Sequence, residues 1–178
     1  EGDKAVRVDS GFIVFNEPSY PNLCALFETL GVAVEDSEMS FSVATPTSQW
    51  SSHGLSTLFA TPRNRTSPSF YALLADVVRF NAILTETPLD AVPDISLRAF
   101  LDLHRFSAPF RTDYLLPMVA AVWSASLGSA QNFPTVALFQ FFRNHGLAQI
   151  AGRPVWKTPA KRSRDYVDRI VKDFVAAG

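Results

Sequence analysis

Val6-Arg-Val-Asp-Ser-Gly-Phe-Ile-Val-Phe15 is the stretch on which the fold turns. Val6 and Val8 alternate with polar Arg7, the period of a half-buried strand. Gly11 interrupts, and Phe12 to Phe15 is a short apolar run. A glycine inside a strand pattern marks a bulge, or a place where something approaches the backbone closely. The local pattern supports both readings: a bulged core strand, or a strand whose Gly11 makes room for a ligand.

Outward from this strand the pattern turns helical. Pro21 suits the first position of a helix that carries Leu23, Leu26, Phe27 and Leu30, with Gly31 as its stop. Val32–Val34 and Ser40–Val43 read as short strands that pair with each other. Thr45–Gly54 is polar and turn-rich, and Leu55–Phe59 reads as a returning strand. After a linker over Thr61–Ser69, Phe70, Leu73, Leu74, Val77 and Val78 predict an amphipathic helix to about Leu84, on which Asp76 and Arg79 pair. Ser96 predicts the cap of a helix carrying Leu97, Phe100 and Leu101. The next helix is expected from Phe110 to Ser126, kinked or broken at Leu116 by Pro117. Pro134 opens a helix that is apolar on several sides and ends at Asn144-His-Gly146. Val155-Trp156 reads as a strand. Ser163 reads as the cap of a last helix, with Val167, Ile170, Val171 and Phe174 as its buried stripe.

Composition sets bounds. A chain of 178 residues, 47% apolar and with 15 phenylalanines, is long enough to fold around a core and too apolar for disorder. A formal charge of −1 gives no global attraction to nucleic acid or an anionic membrane. The single cysteine, Cys24, reads as a small buried residue, and a cytoplasmic setting fits it. Tyr114–Phe142 carries no formal charge, but Pro117, Gly128 and Pro134 interrupt it, and its continuous apolar core is shorter than the ~20 residues of a spanning helix. Buried helices around a turn are expected there, and no transmembrane segment.

Asp9-Ser-Gly-Phe-Ile-Val-Phe-Asn-Glu-Pro-Ser-Tyr-Pro-Asn22 is followed in order by further short motifs. These are Met39-Ser-Phe-Ser-Val43, Arg79-Phe-Asn81, Tyr114-Leu-Leu-Pro-Met118, Ala121-Val-Trp-Ser124, Phe133-Pro134 and Phe142-Arg-Asn-His-Gly146. Arg153-Pro-Val-Trp156 and Ser163-Arg-Asp-Tyr-Val167 complete the set. Together, over most of the chain, they resemble bacterial flavin-containing, amine-oxidase-like oxidoreductases, the NAD/FAD-binding proteins associated with cyclopropane fatty acid synthesis genes. The Gly-rich fingerprint that precedes Asp-Ser-Gly-Phe in that family has no counterpart, since nothing here matches G-x-G-x-x-G. The chain therefore reads as the central, substrate-binding segment of a larger enzyme.

The resemblance implies FAD in the full-length parent, held only weakly by this segment. Ser10, Gly11 and Phe12 would pass near the flavin, and Trp156, Thr158, Ser163 and Arg164 would approach from the other side. Between Thr158 and Ser163 the family has two glycines, whereas this chain has Lys161 and Arg162. Two long side chains there oppose close backbone approach, or else they meet a phosphate or carboxylate at the helix start; an exposed basic loop is the plain alternative. Trp50, Tyr114 and Trp123 would line a pocket for a lipid-like or amine substrate, or serve simply as core. No catalytic acid or base can be named. His53, His104 and His145 are widely separated, and no metal pattern includes them.

The expected fold is α+β, with several helices packed on a small, mainly antiparallel sheet. Residues 1–178 are expected to form a single segment, strand-rich with one helix over 1–60, helical over 67–150, and a strand with a terminal helix over 151–178. The expected function is the substrate-binding part of a flavin-dependent oxidoreductase acting on a hydrophobic substrate. The alternative is a non-catalytic module that binds a hydrophobic or fatty-acyl ligand. In a fragment, apolar surface and strand edges would be open to self-association.

Overall fold

The computed structural model describes residues 14–45, 49–149 and 154–177. In chain order the elements are α1 (Pro21–Thr29), β1 (Val34–Ser37), β2 (Ser42–Ala44), β3 (Gln49–Ser51), α2 (Leu55–Leu58), α3 (Pro68–Glu86), α4 (Leu97–Leu103), α5 (Ala108–Phe110), α6 (Leu116–Val122), α7 (Leu127–Ala130), α8 (Thr135–Asn144), β4 (Trp156–Pro159) and α9 (Arg162–Ala177). Helices dominate, and the strands form two antiparallel pairs, β1–β4 and β2–β3. This is the α+β class that the sequence predicts. The chain divides into two compact units: Glu1–Met39 with Arg153–Gly178, and Ser40–Gly152, inserted in sequence between them. Of the strand expected over Val6–Phe15, only Val14 and Phe15 lie among the described residues.

In the first unit, α1 begins at Pro21 and stops at Gly31, whose φ of 61° is free of strain for glycine. The Val32 N–H closes this end on the Phe27 carbonyl at 2.8 Å. That commitment delays the strand expected over Val32–Val34, and β1 starts at Val34. The expected pairing of this strand with Ser40–Val43 does not occur. β1 instead takes β4 from the far end of the sequence, with Glu35 opposite Thr158, Asp36 opposite Lys157 and Ser37 opposite Trp156. Phe27 makes aromatic contacts with Phe15 and Tyr166 in this unit, at centroid distances of 5.3 and 5.2 Å.

The stripe on α9 is a second correction. Tyr166 packs on Phe27, while Arg169 reaches the Leu30 and Gly31 carbonyls at 2.8 Å and pairs with Asp165. These interactions dock the helix by its polar and tyrosine side. Val167 and Val171 are left exposed, Phe174 is 75% exposed, and Ile170 is only half-buried. Amphipathic spacing says that a helix has two faces, but not which of them its neighbour takes.

In the second unit, β2 and β3 form a small ladder with Val43 opposite Trp50. The strand expected over Leu55–Phe59 is instead the short helix α2. The Gly54 N–H donates to Thr57 Oγ1 at 3.1 Å, and the Leu58 N–H donates to the Gly54 carbonyl at 2.9 Å, so the hydrogen bonds turn inward. The helix α3 matches expectation, with the Ser67 hydroxyl accepting from the Phe70 N–H, and Asp76 and Arg79 pair at 2.8 Å. Phe80 is fully buried among Phe100, Phe106, Phe110, Phe139 and Phe142 at centroid distances of 5.6 to 6.4 Å. Ser96 caps α4 by accepting from the Ala99 N–H.

Pro117 acts as the sequence predicts. A proline lacks the N–H and clashes with the carbonyl four residues back. One π-helical turn over Arg111–Leu115 absorbs the misfit, and α6 restarts at Leu116. The run ends at Val122 rather than Ser126, because Ser124 turns to φ 48° and Ser126 caps α7 through the Ser129 N–H. Among the described residues, no helix is long and apolar enough to cross a membrane.

Short helices leave their last carbonyls without partners, and arginines supply them here. From α8, Arg143 donates to Leu84 O at 2.7 Å and to Thr87 O, closing the end of α3. Arg143→Ala is expected to lower stability by about 1–3 kcal/mol in urea denaturation, because both part-buried carbonyls lose their donor. Phe174→Ser is expected to change it by less than about 0.5 kcal/mol, the value for an exposed site, against about 3–5 kcal/mol for Phe27→Ala. A core-sized loss from Phe174→Ser would show that its face is covered.

Candidate functional site

Ser10, Gly11 and Phe12 lie outside the described residues. The end of their segment is placed: the Phe15 N–H donates to the Lys157 carbonyl at 2.9 Å, and the Lys157 N–H donates to the Phe15 carbonyl at 2.7 Å. The central part of β4 therefore bonds Phe15 as well as β1. Trp156 and Thr158 flank Lys157, both half-buried, and strand alternation puts them on the face opposite Lys157. The Ala160 N–H then bonds the Ala33 carbonyl at 2.9 Å, and the chain turns into α9.

The turn is where the sequence departs from the pattern it resembles. Arg162 sits at φ 69°, in the left-handed region. A side chain there costs roughly 1–2 kcal/mol, which glycine avoids. Lys161 and Arg162 are exposed. Ser163, expected to cap the helix, lies inside its first turn, because α9 runs from Arg162. Arg164 is exposed and pairs with Asp168 at 2.7 Å. Asp165, in the same first turn, is held by Arg169 at 3.0 Å. The start of α9 thus offers backbone N–H donors and two cations, a donor set that suits the phosphates of a flavin dinucleotide.

On the Lys157 side of the strand lies a groove of about 590 Å³. Phe15 and Phe27 contribute apolar surface, with Pro21, Ala25 and Val32. Glu17, Glu28 and Lys157 supply its charges. The Lys157 ammonium donates to Glu17, and this bond, with the charge of Asp36 across the ladder, raises the lysine's pKa. Cys24, read from sequence as buried, is half-buried on α1 and lines the groove.

Trp50 and Tyr114 come together as a stacked pair 5.9 Å apart, with Phe41 against both, and they belong to the core of the second unit. Trp123 packs elsewhere, on Phe133 at 4.2 Å and Phe141 at 4.7 Å. Trp50 Nε1 is buried with no partner among the described residues. The histidines also make packing contacts. His104 packs at a tilt on Phe100 at 4.4 Å, and burial together with the Arg79 charge pulls its pKa down. His145 ends α8 and stacks on Phe141. Among the described residues, no group of three or more His, Cys, Asp or Glu side chains is arranged to hold a metal.

Sequence reasoning missed Glu17, Glu28 and Lys157. No motif marks them, because the pairing of the Phe15 segment with β4 alone brings them together. No family model matches the chain, and no curated protein matches it.

Arg162→Gly is expected to leave the melting temperature unchanged or to raise it, since relief of the left-handed strain offsets glycine's larger unfolded-state entropy. Val167→Gly inside α9 should cost about 1 kcal/mol by comparison. A drop of that size for Arg162→Gly would mean that the arginine side chain stabilises the turn.

Proposed function

We propose that this chain is the substrate-binding segment of a flavin-dependent oxidoreductase of the amine-oxidase-like class, acting on a hydrophobic, lipid-like or amine substrate. The observation that carries the reading is the φ of 69° at Arg162. Where the resembled pattern has glycine, this backbone keeps a glycine conformation although the side chain has changed. The Phe15–Lys157 bridge adds support, because it joins a residue shortly after Ser10–Phe12 in sequence to the strand that carries Trp156 and Thr158. The chemistry a bound flavin would supply is acceptance of a hydride from a C–H or C–N centre. The residues proposed to hold it are Ser10, Gly11, Phe12, Trp156, Thr158, Ser163 and Arg164, with Lys161 and Arg162 at its phosphates.

The test is the visible absorption spectrum of the purified product of the complete reading frame that contains this sequence. A bound-flavin spectrum that bleaches anaerobically with a lipid or amine is the expected result. A protein that stays colourless when FAD is added overturns the reading in favour of a non-catalytic module for hydrophobic ligands. The chain as given is expected to hold FAD weakly, and Arg162→Gly, which removes one of the proposed phosphate contacts, is expected to weaken it further.

A further inference from the structure

All described lining residues of the groove between α1 and the Phe15–β4–β1 strands belong to the first unit, and the groove needs no flavin. Its volume of about 590 Å³ falls within the range of small-molecule sites. Phe15 and Phe27 are 2% and 3% exposed, so its apolar floor is fixed by packing.

The charges at its mouth select the head group. Lys157 is its one cation among the described lining residues, and it is already engaged by Glu17. Asp36 lies opposite Lys157 in the ladder and adds a second negative charge beside it. Glu28, one turn after Cys24 on α1, has no ion pair among the described residues. Among the described residues, negative charge is therefore in excess around a single ammonium. An anionic head, such as a fatty-acid carboxylate, would have to displace Glu17 and leave it unpaired nearby. A cationic head meets Glu28 and breaks nothing.

We infer that this groove binds a small amphiphile with an apolar body and a positively charged head, the body on Phe15 and Phe27 and the head at Glu28. The inference stands on the groove itself and does not depend on the oxidoreductase reading.

Cys24 provides the readout, because it lines the groove and is the sole cysteine of the chain. Its reaction with a thiol reagent is followed with octylammonium, octanoate or octanol present, each below its aggregation threshold. Octylammonium is expected to slow labelling by about threefold or more relative to octanoate, an electrostatic margin appropriate to a partly exposed site. The preference should shrink at high salt. Glu28→Gln lies on the exposed side of α1 and should keep the fold by circular dichroism while abolishing it. Equal protection by octylammonium and octanoate, protection by neither, or a preference that survives Glu28→Gln overturns the inference. A colourless full-length protein would leave it untouched, and a flavoprotein whose Cys24 is indifferent to octylammonium would refute it alone.

Discussion

Phe80 is the side chain on which the second unit depends. It lies near the middle of the longest helix, fully buried, with five phenylalanine rings around it from α4, the turn after it, α5 and α8. Most of these contacts are edge-to-face, the geometry in which the positive ring edge meets a negative face. Rings at such angles cannot slide past one another freely. The cluster thus sets helix orientation as well as burying area, and it explains why a unit with so little sheet holds so many short helices.

Short helices bring a second constraint. Each ends with carbonyls that have no intrahelical partner, and burial makes an unanswered carbonyl costly. Two devices recur. The chain closes α1, α4 and α8 with a bond from the residue after the turn back to the last helical turn: Val32 to Phe27, Phe106 to Leu101 and Leu147 to Phe142. Arginines from other elements then answer what remains. Arg169 serves α1, Arg143 serves α3, and Arg111 with Arg79 serves the end of α4 and the turn after it. Arg79 also lies over the Phe106 ring at 4.2 Å, which joins the capping system to the aromatic one. A guanidinium suits this task because its planar fork presents several donors at once.

What the sequence made legible follows from how local each signal is. Pro21, Gly31, Ser96, Pro117 and Gly146 act on their own neighbours, and each marks a boundary or distortion that the structure contains. The pair Asp76–Arg79 is legible for the same reason, being one turn apart. The pairing of β1 with β4 was not, because apolar alternation nominates a strand without naming its partner. The helix α2 reverses a strand reading since a single threonine hydroxyl on Gly54 decides the turn. The face of α9 was misread because Tyr166 and Arg169 outcompete four aliphatic or aromatic positions for contact with α1. The candidate groove was invisible in sequence because Glu17 and Lys157 meet only once Phe15 has paired.

The turn into α9 links these levels. A backbone conformation is set by its surroundings: the Ala160 bond to Ala33 on one side, and the docking of α9 through Tyr166 and Arg169 on the other. Both are fixed by tertiary contacts that do not involve the Arg162 side chain. The chain must therefore pass through the left-handed region whichever residue stands there, and glycine is the residue that would do so without strain. An arginine in that position is accommodated at the helix start because its side chain points into solvent and no described acidic partner anchors it. Strain retained at a helix N-terminus, beside a lysine that is exposed and has no ion pair among the described residues, is a poor arrangement for stability alone.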